Sequence, residues 1–260
     1  MSPYPHLEKL KIGCVQYLNA KPLIFGYEGA VHFDHPSRLA KLLSEGGIDA
    51  ALVPTYELMR KPEYDVADGV AISANGAVYS VFLAYRGDLK DVKTVSLDTA
   101  SLTSVNLIRC ILAEFHGMSP EYVAWENCAD ENAAQLLIGN QAIDFRQTQG
   151  AEYHYLDLGE EWMKQTGLPF VFAVWLIRRD VENAPAAACE LRKLKEQGLG
   201  CIPEIVRREK RYDADFETRY LSHYIRYDLG GAEKAGMGKF RELLLKHGLI
   251  PESDAPLVFV

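Results

Sequence analysis

The sequence predicts an α/β protein built as two halves facing a cleft. Three observations carry this: short apolar runs that stop abruptly at polar side chains, amphipathic helical segments between those runs, and a stretch from Glu182 onward that is helical throughout. Leu10, Ile12 and Cys14 alternate with Lys11 and Gly13 and are followed by Val15, a strand pattern. It ends at Tyr17, Asn19 and Lys21, with Pro22 closing the loop. Ligands of open α/β sheets bind just beyond the carboxyl ends of strands. An aromatic ring, an amide and an ammonium at that place suit a small polar anion. The plain alternative is a strand-ending turn in which Asn19 bonds local backbone groups.

Pro36-Ser37 opens a helix with an apolar stripe at Leu39, Leu42 and Leu43, and Gly46-Gly47 ends it. Ile48 to Val53 reads as a buried strand. Its end at Pro54, Thr55 and Tyr56 is a second place where a ligand is touched, and the first unit is β-α-β. Arg60 to Asp68 reads as a charged loop, Asn75-Gly76 as a turn, and Tyr79 to Tyr85 as a strand with Ser80 at its start. The polar turn Arg86-Gly87-Asp88 suits a crossing between domains.

The second unit begins with the strand Val92 to Leu97. The turn Asp98-Thr99-Ala100-Ser101-Leu102-Thr103-Ser104 follows, then a helix carrying Val105, Ile108, Leu112 and Phe115. A strand running into a helix start exposes unpaired N–H groups, which with the helix dipole favour a carboxylate or phosphate. Ser101, Thr103 and Ser104 add hydroxyl donors. Ordinary N-capping would need only one of them, so three in four positions point to a binding loop. Tyr122 to Trp125 reads as a strand, and Leu136 to Ile138 as another that ends at Gly139-Asn140, a third strand terminus with a polar group. Trp162 sits on a helix that stops at Gly167, Pro169 to Ile177 is a long strand, and four helical segments follow: Ala186 to Gln197, Ile202 to Arg208, Phe216 to Tyr227, and Phe240 to His247. Leu257 to Val260 is a tail strand or docking segment.

Composition narrows the function. The 260 residues are 48% hydrophobic and 25% charged, ordinary for packed cores and enough for two small domains. No run has the apolar length that a bilayer requires, and Met1 to Lys11 lacks the apolar centre of a secretion signal, so a cytoplasmic protein is expected. The net charge of -8 opposes nonspecific nucleic-acid binding. Cys14, Cys110, Cys128, Cys189 and Cys201 are scattered, with no C-x-x-C pair, which predicts core thiols rather than a zinc site or disulfides. There is no H-E-x-x-H, no G-x-G-x-x-G after a strand and no P-loop, so neither metal nor cofactor is expected.

The segments Y-L-N-A-K-P-L at Tyr17 to Leu23, P-S-R-L-A-K-L-L at Pro36 to Leu43, D-A-A-L-V-P at Asp49 to Pro54, S-L-T-S-V at Ser101 to Val105, and T-G-L-P-F-V-F-A-V-W at Thr166 to Trp175 together resemble the chorismate dehydratases of the futalosine route to menaquinone. The likeness runs in consistent order over roughly residues 10 to 180. It implies a two-lobed fold like that of type II periplasmic binding proteins, with 1–92 plus 178–260 as lobe I and 93–177 as lobe II. It also implies elimination of water from chorismate to give 3-[(1-carboxyvinyl)oxy]benzoate. On that reading Ser101, Thr103 and Ser104 hold one carboxylate, while Ser80 and the backbone beyond Pro54, at Thr55, meet the other end. Tyr17 lines the pocket and Asn19 orients the reacting centre. Asn19 cannot take a proton and Lys21 is charged, so the substrate's own enolpyruvyl carboxylate is the base expected. One departure stands at Asn140, where the family pattern has aspartate; a cap of the following turn is the role expected of it. Two other readings compete: the sister 1,4-dihydroxy-6-naphthoate synthase, against which the Y-L-N-x-x-P-L motif stands, and a binding module that holds a small anion unchanged.

Overall fold

A computed structural model describes residues 3–98, 101–149 and 152–260. Thr99 and Ala100, part of the hydroxyl-rich turn, lie outside them. The chain opens as expected with β1 (Ile12–Cys14), which pairs in parallel with β2 (Val31–Phe33) and β3 (Ala50–Pro54). Between β2 and β3 runs α1 (Pro36–Ser44), begun by a proline in its first turn and burying Leu39, Ala40 and Leu43. Every residue of β3 is buried, as a strand covered on both faces should be. The short α2 (Thr55–Arg60) leads to the long β4 (Tyr64–Ala74).

The next strands build a second sheet: β5 (Val81–Tyr85), β6 (Thr94–Leu97), β7 (Glu121–Ala124), β8 (Ala134–Ile138) and β9 (His154–Asp157), with α3 (Leu102–His116) and α4 (Gly139–Gln149) in the connections. After α5 (Leu158–Thr166), closed by Gly167 in the left-handed conformation, the chain returns to the first sheet as β10 (Phe170–Arg178). It ends with α6 (Ala184–Gly200), α7 (Ile202–Glu209), α8 (Ala214–Arg219), a π-helical turn at Tyr220–Tyr224, α9 (Gly231–Lys246) and β11 (Val258–Phe259). The sheet orders are β11-β4-β10-β3-β1-β2 and β7-β6-β8-β5-β9.

Several expectations need correction. The chain does turn at Asn75-Gly76, but β4 and β5 on either side of it lie in different sheets. The turn instead begins the first passage between the halves, at 75–80, and the second passage lies at 158–169. Sheet membership therefore does not follow the boundaries at 92 and 177: Val81–Tyr85 pairs with β8 and β9, and Phe170–Arg178 pairs with β3 and β4. The charged stretch 60–68 is not a loop, since β4 starts at Tyr64. Its Asp65 and Asp68 are met by Arg179 at 3.6 Å and Lys234 at 2.7 Å, partners supplied by distant segments. Among the cysteines, Cys14 and Cys110 are buried and Cys128, Cys189 and Cys201 are half-buried.

One carboxylate ties the two passages together. Asp157 Oδ1 accepts from the N–H groups of Val78, Gly159 and Glu160, and Oδ2 accepts from Tyr79 N at 2.7 Å. Tyr79 has φ 67, a costly left-handed conformation for a bulky residue. Its ring packs on Phe216 and Tyr224 at 5.0 and 5.2 Å, with the Arg146 guanidinium 4.5 Å from its centre.

Candidate active site

The termini of β1, β3 and β8 and the start of α3 converge on one concave pocket of about 540 Å³, a figure that takes in the open space at its mouth. Tyr17, Asn19, Pro54, Ser101, Thr103 and Ser104 all line it, together with apolar Val15, Leu52, Ile72, Val81, Ile138 and Phe172. Among the described residues no charged side chain lines this cavity. Charges stand outside it: Tyr17 also borders a wider open recess with Asp34, Arg38, Asp98 and the exposed Trp125.

Residues 17–23 are not an open loop. Leu18–Leu23 forms a 3-10 turn with Leu18, Ala20, Pro22 and Leu23 buried, which turns Asn19 toward the cavity. Asn19 Oδ1 is buried and has no hydrogen-bond partner among the described residues. Its amide stands beside the Tyr220 hydroxyl and favours that group's ionised form, as a donor would. Burial nevertheless drives the Tyr220 hydroxyl above its ordinary pKa, so it stays protonated. Burial, with Asp98 adding, pushes the Tyr17 hydroxyl up to about 12, so it too is a neutral donor. The Tyr17 ring lies against Gly139, which has φ +58 and where a Cβ would stand 3.0 Å from the ring. Both facts call for glycine there.

At the start of α3 Ser101 occupies the N-cap position yet makes no side-chain cap bond. Ser101, Thr103 and Ser104 are all at most 5% exposed. Thr103 Oγ1 accepts from Tyr56 N at 3.1 Å, a bond that does not use the hydroxyl's own proton. The helix start thus offers backbone N–H groups and hydroxyls at the positive end of a fifteen-residue helix.

Three expected residues sit elsewhere. Ser80 is fully buried, with its Oγ 2.7 Å from the Tyr220 hydroxyl and its carbonyl accepting from Gly139 N at 2.8 Å, so it stands behind the lining rather than in it. Thr55 is also fully buried outside the lining, and its Oγ1 has no partner among the described residues. Asn140 Oδ1 accepts from Leu18 N at 3.2 Å, so it caps the 3-10 turn across the cleft rather than the turn that follows it in sequence. This bond and the Tyr56–Thr103 bond each join the half built on the first sheet to the half built on the second. Lys21 turns away and pairs with Glu209 of α7 at 2.8 Å.

Gly139, Phe172 and Tyr220 were missed. Gly139 was read only as the end of a strand, and Phe172 lies in a run read only as a strand, where the apolar alternation was the available signal. Tyr220 carries no local signal, because the polar groups it meets, Ser80 and Asn19, lie 140 and 201 residues earlier in the chain.

Known proteins share both the sequence and the fold. Residues 10–246 match the family described as menaquinone biosynthesis. A chorismate dehydratase of Thermus thermophilus is 32% identical over 257 residues, covering 90% of this chain and 94% of that protein. Among solved structures, a protein of Archaeoglobus fulgidus superposes with TM-score 0.74 at 14% identity, covering 93% of this chain and 98% of the other. A Candida albicans gene product described as having the generic periplasmic binding protein fold gives TM-score 0.64 at 15% identity, covering 94% and 92%. The fold is therefore that of the periplasmic binding proteins, and by sequence the chain belongs to the menaquinone biosynthesis family.

Proposed function

We propose that this chain is a chorismate dehydratase, a carbon–oxygen lyase that removes water from chorismate to give 3-[(1-carboxyvinyl)oxy]benzoate. The observation that carries this reading is Asn19, its Oδ1 buried and without a partner among the described residues, in the lining of a cavity that among those residues carries no charge and that the hydroxyl-bearing start of α3 also lines. The α3 start suits a carboxylate, and the apolar walls suit a six-membered carbon ring. Asn19 accepts from a substrate hydroxyl and orients it for departure. Elimination breaks one ring C–H and the C–O bond of the hydroxyl, and the aromatic ring that forms drives the reaction. No carboxylate or imidazole among the described residues lines the cavity, so the enolpyruvyl carboxylate of the substrate takes the ring proton and passes it to the departing hydroxide, which leaves as water. The protein contributes geometry and exclusion of water.

Purified protein incubated with chorismate and chelator should form a product lighter by one water, read by chromatography and mass spectrometry. Chorismate that binds and is recovered unchanged would replace this reading with a small-anion binding role.

Two substitutions bear on the site. Ser101→Ala removes a hydroxyl that caps nothing, so the thermal midpoint should move by less than about 2 °C while the KM for chorismate rises about fivefold or more. A drop of about 2–4 °C with unchanged KM would return Ser101 to a capping role. Asn140→Asp keeps an acceptor for Leu18 N. Its turnover should therefore stay within about threefold of the parent, and a large gain would show that the family's aspartate does more than cap.

A further inference from the structure

We propose that Tyr220 is a positioning residue for Asn19, fixing which face of the amide looks into the cavity through a chain that runs from Ser80 to Tyr220 to Asn19. This rests on the reading of Asn19 as the residue that meets the substrate.

An asparagine amide has two orientations that exchange a carbonyl acceptor for an NH2 donor, and only its surroundings choose between them. Oδ1 is the atom left without a partner, so Nδ2 is the group beside Tyr220. On this assignment the Tyr220 oxygen accepts from Asn19, and of the two directions open to the 2.7 Å Ser80–Tyr220 pair the one in which Tyr220 donates to Ser80 Oγ is taken. Ser80 is held on both sides: its carbonyl takes Gly139 N–H, and the preceding residue, left-handed Tyr79, is pinned by Asp157. Tyr220 is equally confined, 1% exposed and stacked on Phe216 at 5.9 Å with the rings within 15°.

The backbone supplies a separate observation. Tyr220 begins a π-helical turn, closed by Ile225 N donating to Tyr220 O at 3.1 Å. Such turns are rare and concentrate at functional sites. This one directly continues α8, and it brings Tyr220 to the back of the segment that carries Asn19.

The consequence is chemical. With Oδ1 presented, Asn19 accepts from a hydroxyl and repels a carboxylate. A substrate bearing both groups is therefore oriented, its carboxylate at α3 and its hydroxyl at Asn19.

The test is Tyr220→Phe, which keeps the ring and removes the hydroxyl. Turnover of chorismate should fall roughly ten- to hundredfold in kcat with KM within about twofold. In an Asn19→Ala background the same change should cost nothing more, because the two act as one unit. The Asn19 side-chain amide pair in a proton–nitrogen NMR spectrum, assigned by its loss in Asn19→Ala, should shift in Tyr220→Phe. That readout needs no turnover. A wild-type protein that leaves chorismate intact, with the amide shift present, would remove the dehydratase reading and keep the positioning one. Should Tyr220→Phe fold poorly, Ser80→Ala breaks the chain one link back and should move the same amide pair and lower kcat in the same direction. An unmoved amide pair with unchanged kcat, or losses that add in the double variant, would overturn the proposal.

Discussion

Asn19→Ala is expected to lower kcat/KM for chorismate by about a hundredfold to a thousandfold, the scale on which loss of one preorganised polar group at a reacting centre is felt. The fold should be unaffected. Oδ1 is already buried without a partner among the described residues, so removing it relieves a desolvation cost that offsets the loss of the Nδ2 contact with Tyr220. The thermal midpoint should stay within about 3 °C of the parent, equivalent to about 1 kcal/mol for a domain of this size. A structural asparagine would behave the other way, losing stability and sparing turnover. Parallel kinetics and thermal melts separate the two, and near-normal turnover would remove Asn19 from the chemistry.

Gly198→Ala is expected to damage both stability and activity, although Gly198 is far in sequence from any lining residue. It lies in α6, which packs directly on the 3-10 turn Leu18–Leu23. An alanine Cβ at Gly198 would stand 1.7 Å from the Pro22 carbonyl oxygen and 2.6 Å from its carbon. Both are backbone atoms, so either α6 or the turn that carries Asn19 must move. Overpacking of this kind costs about 3 kcal/mol, well beyond the roughly 1 kcal/mol of helix propensity that alanine returns. A fall of about 4–8 °C in thermal midpoint should accompany the loss of turnover. Gly200→Ala, in the same helix with nothing within 4 Å of the added carbon, is the control and should be neutral or slightly stabilising. Equal melting curves for the two variants would show that the contact between α6 and Pro22 is not rigid.

Much of this site was legible because it is built from chain ends of local elements. The polar residues after β1 and the hydroxyls opening α3 announce themselves where apolar periodicity stops, and each is positioned by the element it adjoins. The sorting of strands into sheets was not legible. Val81–Tyr85 is apolar on both faces, so nothing in its pattern says which sheet completes it, and Asn75-Gly76 permits a hairpin as readily as a passage between halves. Asp65 and Asp68 read as loop residues because their partners, Arg179 and Lys234, arrive from more than a hundred residues away. For the same reason Ser80 was assigned to the substrate: the serine is visible in the sequence, but Tyr220, which occupies its hydroxyl, is 140 positions downstream. The role expected of Asn140 was right in kind and wrong in target, since an amide oxygen caps whichever N–H the fold brings to it.

The two hydrogen bonds that cross the cleft, Leu18 N to Asn140 and Tyr56 N to Thr103, set an equilibrium as well as a shape. Each is worth about 1 kcal/mol net, because an N–H released from the protein is taken up by water. Together they bias the empty molecule toward the shut arrangement by about thirtyfold. Any parting of the two halves has to break both bonds, so each weighs equally against entry of substrate and release of product, and a carboxylate in place of the Asn140 amide would shift that weight without changing the lining of the cavity.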